Sequence, residues 1–194
     1  MSTNRKKRMS TRKLVSLSLL GSVSFVLMLL NFPIPGLPPY LKLDFSEIPA
    51  LLAAIIFGPV AGIIVEGLKN TLYYLAYGSG VPVGEIANFI SGVIFIVPVA
   101  FIYHRLKSKR SLIGGCLIGT VSTIILMSIL NYYLLLPAYT WFLGYDAMSH
   151  SVKITTITIG IIPFNAIKGI AVMALFIPLF TKLQPWIEKQ RSIA

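Results

Sequence analysis

The chain has 194 residues, of which 56% are hydrophobic and 12% charged, and it carries a formal net charge of +11. So apolar a composition with so few charges excludes a soluble domain and makes lipid the main solvent. The surplus of Lys and Arg lies in short clusters beside apolar runs, which sets orientation in a membrane and excludes a nucleic-acid-binding surface.

Residues 1–12 form a basic tail containing Arg5, Lys6, Lys7, Arg8 and Arg12. An apolar run from Leu14 to Leu30 follows; it has the flanks of a signal peptide but no small-x-small cleavage site after it, so it reads as a retained first span over 13–31. Within it Ser18 and Ser22 make a small-xxx-small pair with Gly21 alongside, a stripe on which another helix can pack closely. From the residues alone, packing inside the protein is the simpler use. The next segment, NFPIPGLPPYLKLDFS, holds Pro33, Pro35, Pro38 and Pro39, which favour extended or turn structure. A stiff, aromatic outer flap covering a ligand is the expectation. Ile48 to Leu75 is long for one crossing and is interrupted by Gly58-Pro59, a pair that ends one helix and starts another. Helices are expected over 46–57, 59–77, 83–104, 111–137 and 154–182.

Six crossings place the N-terminal cluster, the loop with Arg105, Lys107, Lys109 and Arg110, and the terminal Lys182, Lys189 and Arg191 all on the cytoplasmic side. Five crossings would throw the second cluster outside. The expected fold class is all-α: a polytopic membrane protein with six transmembrane helices over 13–184, both termini cytoplasmic, and a C-terminal tail over 185–194. Cys116 stands alone in an apolar run, so no internal disulfide forms.

Polar groups within these spans are candidates for function, because each costs several kcal/mol in hydrocarbon. Glu66, Lys69 and Asn70 share one face of the third span, where a Glu–Lys pair neutralises itself. Glu85, Asn88 and Gly92 recur on one face of the fourth span, near its outer end. Asn131 lies at the outer end of the fifth. Asn165 and Lys168 share a face of the sixth, and Lys168 needs Glu66, Glu85 or a ligand as its partner. No phosphate loop, HExxH, CxxC or GxSxG is present, and His104 and His150 fall on opposite sides, so neither a metal centre nor nucleophilic catalysis is expected. Neutral polar groups flanked by aromatics suit recognition of a flat, hydroxylated small molecule.

The segments LNFPIPGLPPYLKLDFSEIPAL, GVPVGEIANF, ILMSILNYYLLLPAYTWF and PFNAIKGI resemble the riboflavin-specific S component of energy-coupling-factor (ECF) vitamin transporters, in order and over nearly the whole chain. The resemblance implies a binding subunit of the bacterial cell membrane that is not an enzyme and uses no cofactor, riboflavin being the transported ligand. It implies riboflavin contacts from Tyr40, Leu41, Lys42, Asp44, Glu85, Asn88, Asn131, Asn165 and Lys168. The implied partners are a shared transmembrane subunit and two ATPases, with no nucleic acid. Docking in that family often uses an AxxxA stripe on the first helix; here there is no Ala in that helix, and Ser18, Gly21 and Ser22 take the stripe's place. Another vitamin or flavin is an alternative ligand, although Lys42 and Lys153 are few basic groups for a phosphate. An intramembrane enzyme with Glu66 or Glu85 as base is the alternative from another class.

Overall fold

Glycine, proline and short polar caps divide the apolar sequence into six helical rods. The computed structural model describes residues 10–78, 80–144 and 146–193, so Arg5 to Arg8 of the basic tail and the terminal Ala194 lie outside the described residues. The first rod, α1 (Thr11–Leu29), is capped by Ser10, whose hydroxyl accepts from the Lys13 N–H. A two-stranded antiparallel hairpin follows, β1 (Phe32–Pro33) with β2 (Lys42–Leu43), Phe32 facing Leu43 and Pro33 facing Lys42. Then come α2 (Glu47–Phe57) and α3 (Pro59–Tyr77), separated at Gly58, whose φ of 98° suits glycine, with Pro59 opening α3 where no N–H is needed. Next is α4 (Val83–Leu106). The fifth rod joins α5 (Lys109–Leu130) through a π-helical turn at Asn131–Leu135 to α6 (Leu136–Leu143), and the sixth joins α7 (His150–Thr155) through a π-helical turn at Thr156–Ile161 to α8 (Ile162–Ile193).

α2 is the central element. It contacts α1, α3, α4 and α8, and α5 packs on α4 and α8. Ala50, Leu51, Ala53, Ala54 and Ile55 have no exposure, as suits a helix apolar on every side. Small residues let the rods close on one another: a Cβ on Gly62 would lie 2.8 Å from both Ala54 Cβ and Ile96 Cγ2, and one on Gly119 would lie 2.7 Å from the Phe95 carbonyl oxygen. The outward faces stay apolar, with Leu19, Val23, Ile118, Val121 and Ile125 exposed to the surroundings. Helices Thr11–Leu29, Val83–Leu106, Lys109–Phe142 and His150–Gln190 are long and apolar enough to cross a membrane.

Three ends differ from expectation. The fifth rod does not stop at Pro137: the π-helical turn, in which the Leu136 N–H reaches back to the Asn131 carbonyl, leads into Pro137 in the first turn of α6, and the helix reaches Leu143. The sixth rod begins at His150, because Ser149 caps it by accepting from the Val152 N–H at 3.4 Å. It runs through Pro178 and Pro185 to Ile193, so the expected tail over 185–194 is helical to that point. Its apolar stripe continues through a half-buried Leu183 to a fully buried Ile187, and that packing outweighs the two prolines.

The α4–α5 contact has no room for a side chain at Gly119. Gly119→Val is therefore expected to lower stability by about 1–3 kcal/mol, read as a reduced thermal unfolding midpoint in detergent. Gly114→Val, where nothing lies within 4 Å, should leave the midpoint in place.

Candidate functional site

The site is built on the height at which α2 begins. Its eleven residues rise from Phe57 to Glu47, a climb of about 15 Å, and the chain descends from the hairpin through Asp44 and Ser46 to meet it. This carries Asp44 and Glu47 into the interior, each only 2% exposed. Two lysines meet them there. Lys69 of α3 donates to Ser46 Oγ at 2.6 Å and pairs with Glu66 at 3.0 Å and Glu47 at 3.3 Å. Lys168 of α8 pairs with Glu47 at 2.7 Å and Asp44 at 3.6 Å. The Ser46 N–H donates to Asp44 Oδ1 at 2.8 Å and its hydroxyl donates to the same oxygen. The Lys168 ammonium and the two Ser46 hydrogen bonds thus surround the Asp44 carboxylate and compensate its burial.

Lys168 is thus satisfied by Asp44 and Glu47, and neither Glu66 nor Glu85 is its partner. Glu47 escapes a sequence reading because an acidic first residue of a helix is ordinarily a solvent-facing cap. Only the descent of the hairpin turns it into an interior group.

Lys168 also lines a cavity of about 680 Å³, open space at its mouth included, between the hairpin, α4, α5 and α8. Tyr40, Leu41 and Lys42 face it from the hairpin, Asn88 from α4, Asn131 from the π-helical turn and Asn165 from α8. A wider outer space of about 1010 Å³ shares Tyr40, Lys42 and Asn88 with it and adds Asp44 and Glu85. All the expected ligand-contacting residues therefore line one or other of two adjoining spaces, Asp44 and Glu85 only the outer one. The sequence did not point to Met127, Leu136, Ile161 and Phe164, which supply the apolar wall, or to Ser91 and Tyr139. Their residue types are ordinary for membrane helices, and only the tertiary arrangement sets them apart.

The amides are fixed in direction. Asn131 Nδ2 donates to the Met127 carbonyl at 2.7 Å and Asn165 Nδ2 to the Ile161 carbonyl at 2.8 Å. Each amide keeps one N–H and its carbonyl oxygen for another partner. Both residues adjoin π-helical turns, a form that recurs at functional sites. The hairpin rests on the sixth rod, where a Cβ on Gly160 would lie 3.2 Å from Pro38 and 3.5 Å from Leu41. On α1, Gly21 is buried against the Leu68 side chain, while Ser18 and Ser22 are exposed. The expected stripe is therefore split between an inward glycine and two outward serines.

A family model described as the substrate-specific component of ECF transporters matches residues 12–180. The chain is 56% identical over 186 residues to a protein of Bacillus subtilis (strain 168) named riboflavin transporter FmnP, covering 95% of this chain and 98% of that one. It is 45% identical over 190 residues to riboflavin transporter RibU of Staphylococcus aureus (strain TCH60), covering 97% of this chain and 100% of the other. Among solved structures it is similar to the S component of a bacterial ECF transporter, with a TM-score of 0.80, 44% identity, and coverage of 92% of this chain and 99% of that one.

Among the described residues, Lys69 is one of only two ammonium groups paired with the buried carboxyl groups Asp44, Glu47 and Glu66. Lys69→Met leaves buried negative charge in excess and is expected to destabilise the fold by about 3–5 kcal/mol. The loss is measurable as a large drop in the unfolding midpoint or in the yield of monodisperse protein; an unchanged midpoint would show that the cluster does not hold the fold.

Proposed function

The chain belongs to the family of ECF transporter substrate-specific components, and on that premise we propose that it binds riboflavin with high affinity at the extracellular face and delivers it inward. Its partners in that step are a shared transmembrane subunit and two ATPases. The family is a transport component of the bacterial cell membrane, so the chain is a multi-pass binding protein and not an enzyme.

One observation carries the reading: the amides of Asn88, Asn131 and Asn165 and the ammonium of Lys168 converge on a cavity whose remaining wall, apart from Lys42 and Ser91, is apolar and aromatic. An isoalloxazine presents an alternating edge of N–H and carbonyl groups on one ring and an apolar dimethyl edge on the other. The N–H and carbonyl that Asn131 and Asn165 still have free, with the Lys168 donor, complement the first; Met127, Leu136, Ile161 and Phe164 suit the second. The ribityl hydroxyls then extend toward Lys42, Asp44, Glu85 and Asn88 in the outer space. Tyr40 and Leu41 cover the bound ring from the hairpin. The names of the two relatives, both riboflavin transporters, support this choice of vitamin.

Six crossings with both termini cytoplasmic belong to the same proposal. α2 is too short to cross alone, and the hairpin that descends to it completes the passage. α3 has the length, and its Glu66, Lys69 and Asn70 are buried in the bundle and away from lipid. Lys13 donates to the Phe57 carbonyl at 3.5 Å and His104 to the Ala54 carbonyl at 2.9 Å, which gathers the α2–α3 turn with the basic ends of α1 and α4. Such clustering suits the cytoplasmic side. Ser18 and Ser22 offer the shared subunit a docking face on α1, and Gly21 supports it from behind by letting α1 lie close on α3.

Titration of riboflavin fluorescence against the purified protein tests the ligand. Asn131→Leu and Asn165→Leu should each weaken binding by about 1–3 kcal/mol, or roughly 5- to 150-fold; full affinity in both variants overturns the site. Orientation is tested with Lys107→Cys in a Cys116→Ala background. A membrane-impermeant maleimide should label it only after the cells are opened, and labelling of intact cells would overturn the import direction.

A further inference from the structure

Three carboxyl groups in the interior face only two ammonium groups. Asp44, Glu47, Glu66, Lys69 and Lys168 are each less than a tenth exposed, so full ionisation would leave one negative charge with no counter-ion in a low-dielectric interior. The surplus lies at Glu66. Lys69 donates to Ser46 and Glu47 and lies 3.0 Å from Glu66 as an ion pair without a hydrogen bond, while Lys168 serves Asp44 and Glu47.

No other charge on the packed elements relieves it. On α4, Glu66 lies against Gly92, where a Cβ would overlap its carboxyl group. Glu85 is seven residues above Gly92 and His104 twelve below, so both are about 10 Å or more away along the axis. α2 contributes Glu47, another carboxylate. On α1, which also packs on α3, Lys13 is engaged at the Phe57 carbonyl.

The hydrogen-bond inventory gives an independent sign of the same shortage. The buried side-chain atoms without a hydrogen-bond partner among the described residues are Glu47 Oε2, both oxygens of Glu66, Asn70 Oδ1 and Asn88 Oδ1. Every one is an acceptor. Asn70, one turn from Glu66, donates one N–H of its Nδ2 to the Glu66 backbone carbonyl at 2.9 Å, and Asn88, one turn from Gly92, also lines the ligand cavity. Acceptors left over with no donor call for a cation or a hydrogen. A metal ion does not suit: among the described residues no group of three or more His, Cys, Asp or Glu side chains is placed to hold one, and the Lys69 ammonium already lies 3.0 Å from Glu66.

We propose that the cluster is a proton-binding site, with Glu66 held as a neutral carboxylic acid against Gly92. Three carboxyl groups then share two ammonium ions and one proton, and the charge closes. Glu47 links this proton to Lys168, the residue that also lines the ligand cavity. In the unfolded chain Glu66 is an ordinary ionised carboxylate at neutral pH, so the folded chain binds one more proton. Stability from this source is fully present below about pH 4, where the unfolded carboxyl is also protonated, and is lost progressively from there up to the pH at which the folded chain gives up the proton.

Infrared spectroscopy of the purified chain at neutral pH tests this directly. A carboxylic acid carbonyl band should be present, shift on deuteration and vanish in Glu66→Gln. Between about pH 5 and 8 the unfolding midpoint of the native chain should fall more steeply than that of Glu66→Gln, which keeps the neutral shape at every pH. Absence of the band from the native chain, its persistence in Glu66→Gln, equal pH slopes, or stability that depends on sodium would each overturn the proposal. None of these readings needs a bound ligand, so a failure here is distinct from a failure of the riboflavin assignment.

Discussion

Glu47 between Lys69 and Lys168 is the contact on which the arrangement turns. One carboxylate holds two ammonium groups, and through them it joins α2 to α3 and α8 while Asp44 and Ser46 bring in the base of the hairpin. Such a cluster contributes little net stability, because desolvation offsets most of the attraction. Its effect is on geometry. Any other depth for α2 would strand charges, so apolar packing that tolerates sliding is fixed at one register.

That register determines what the cavity offers. Lys168 reaches it already oriented by two carboxylates, and Asn131 and Asn165 are turned by bonds to their own helix backbones. Groups held this way lose little freedom when a ligand arrives, so more of each contact is realised as affinity. The hairpin is similarly prepared, with Pro38 and Leu41 seated on Gly160.

Much of this was legible in the sequence where a local rule decides the outcome. Gly58-Pro59 divided α2 from α3, and apolar run length gave the rods. The rarity of amides and charges in lipid singled out Asn88, Asn131, Asn165 and Lys168, all of which face the cavity. The failures have a tertiary cause. Glu47 looks like a helix cap until a hairpin buries it, and Gly21 belongs to a small-residue stripe until Leu68 fills one side of it. Pro137 looks like a stop until a π-helical turn leads into it, and the reach of α8 to Ile193 depends on what Ile187 packs against. Walls such as Phe164 and Met127 carry no local signal at all.

The brevity of α2 has one further consequence. A full-length central helix would occupy the axis of the bundle from end to end; this one fills about half, and the space above Glu47 is the part it leaves vacant. In the proposed complex the ligand would stand in for missing polypeptide, its flat ring taking the place of side chains and its polar edge meeting groups that would otherwise need water. A chain with that space filled would have a continuous core from end to end, and one with it empty would not.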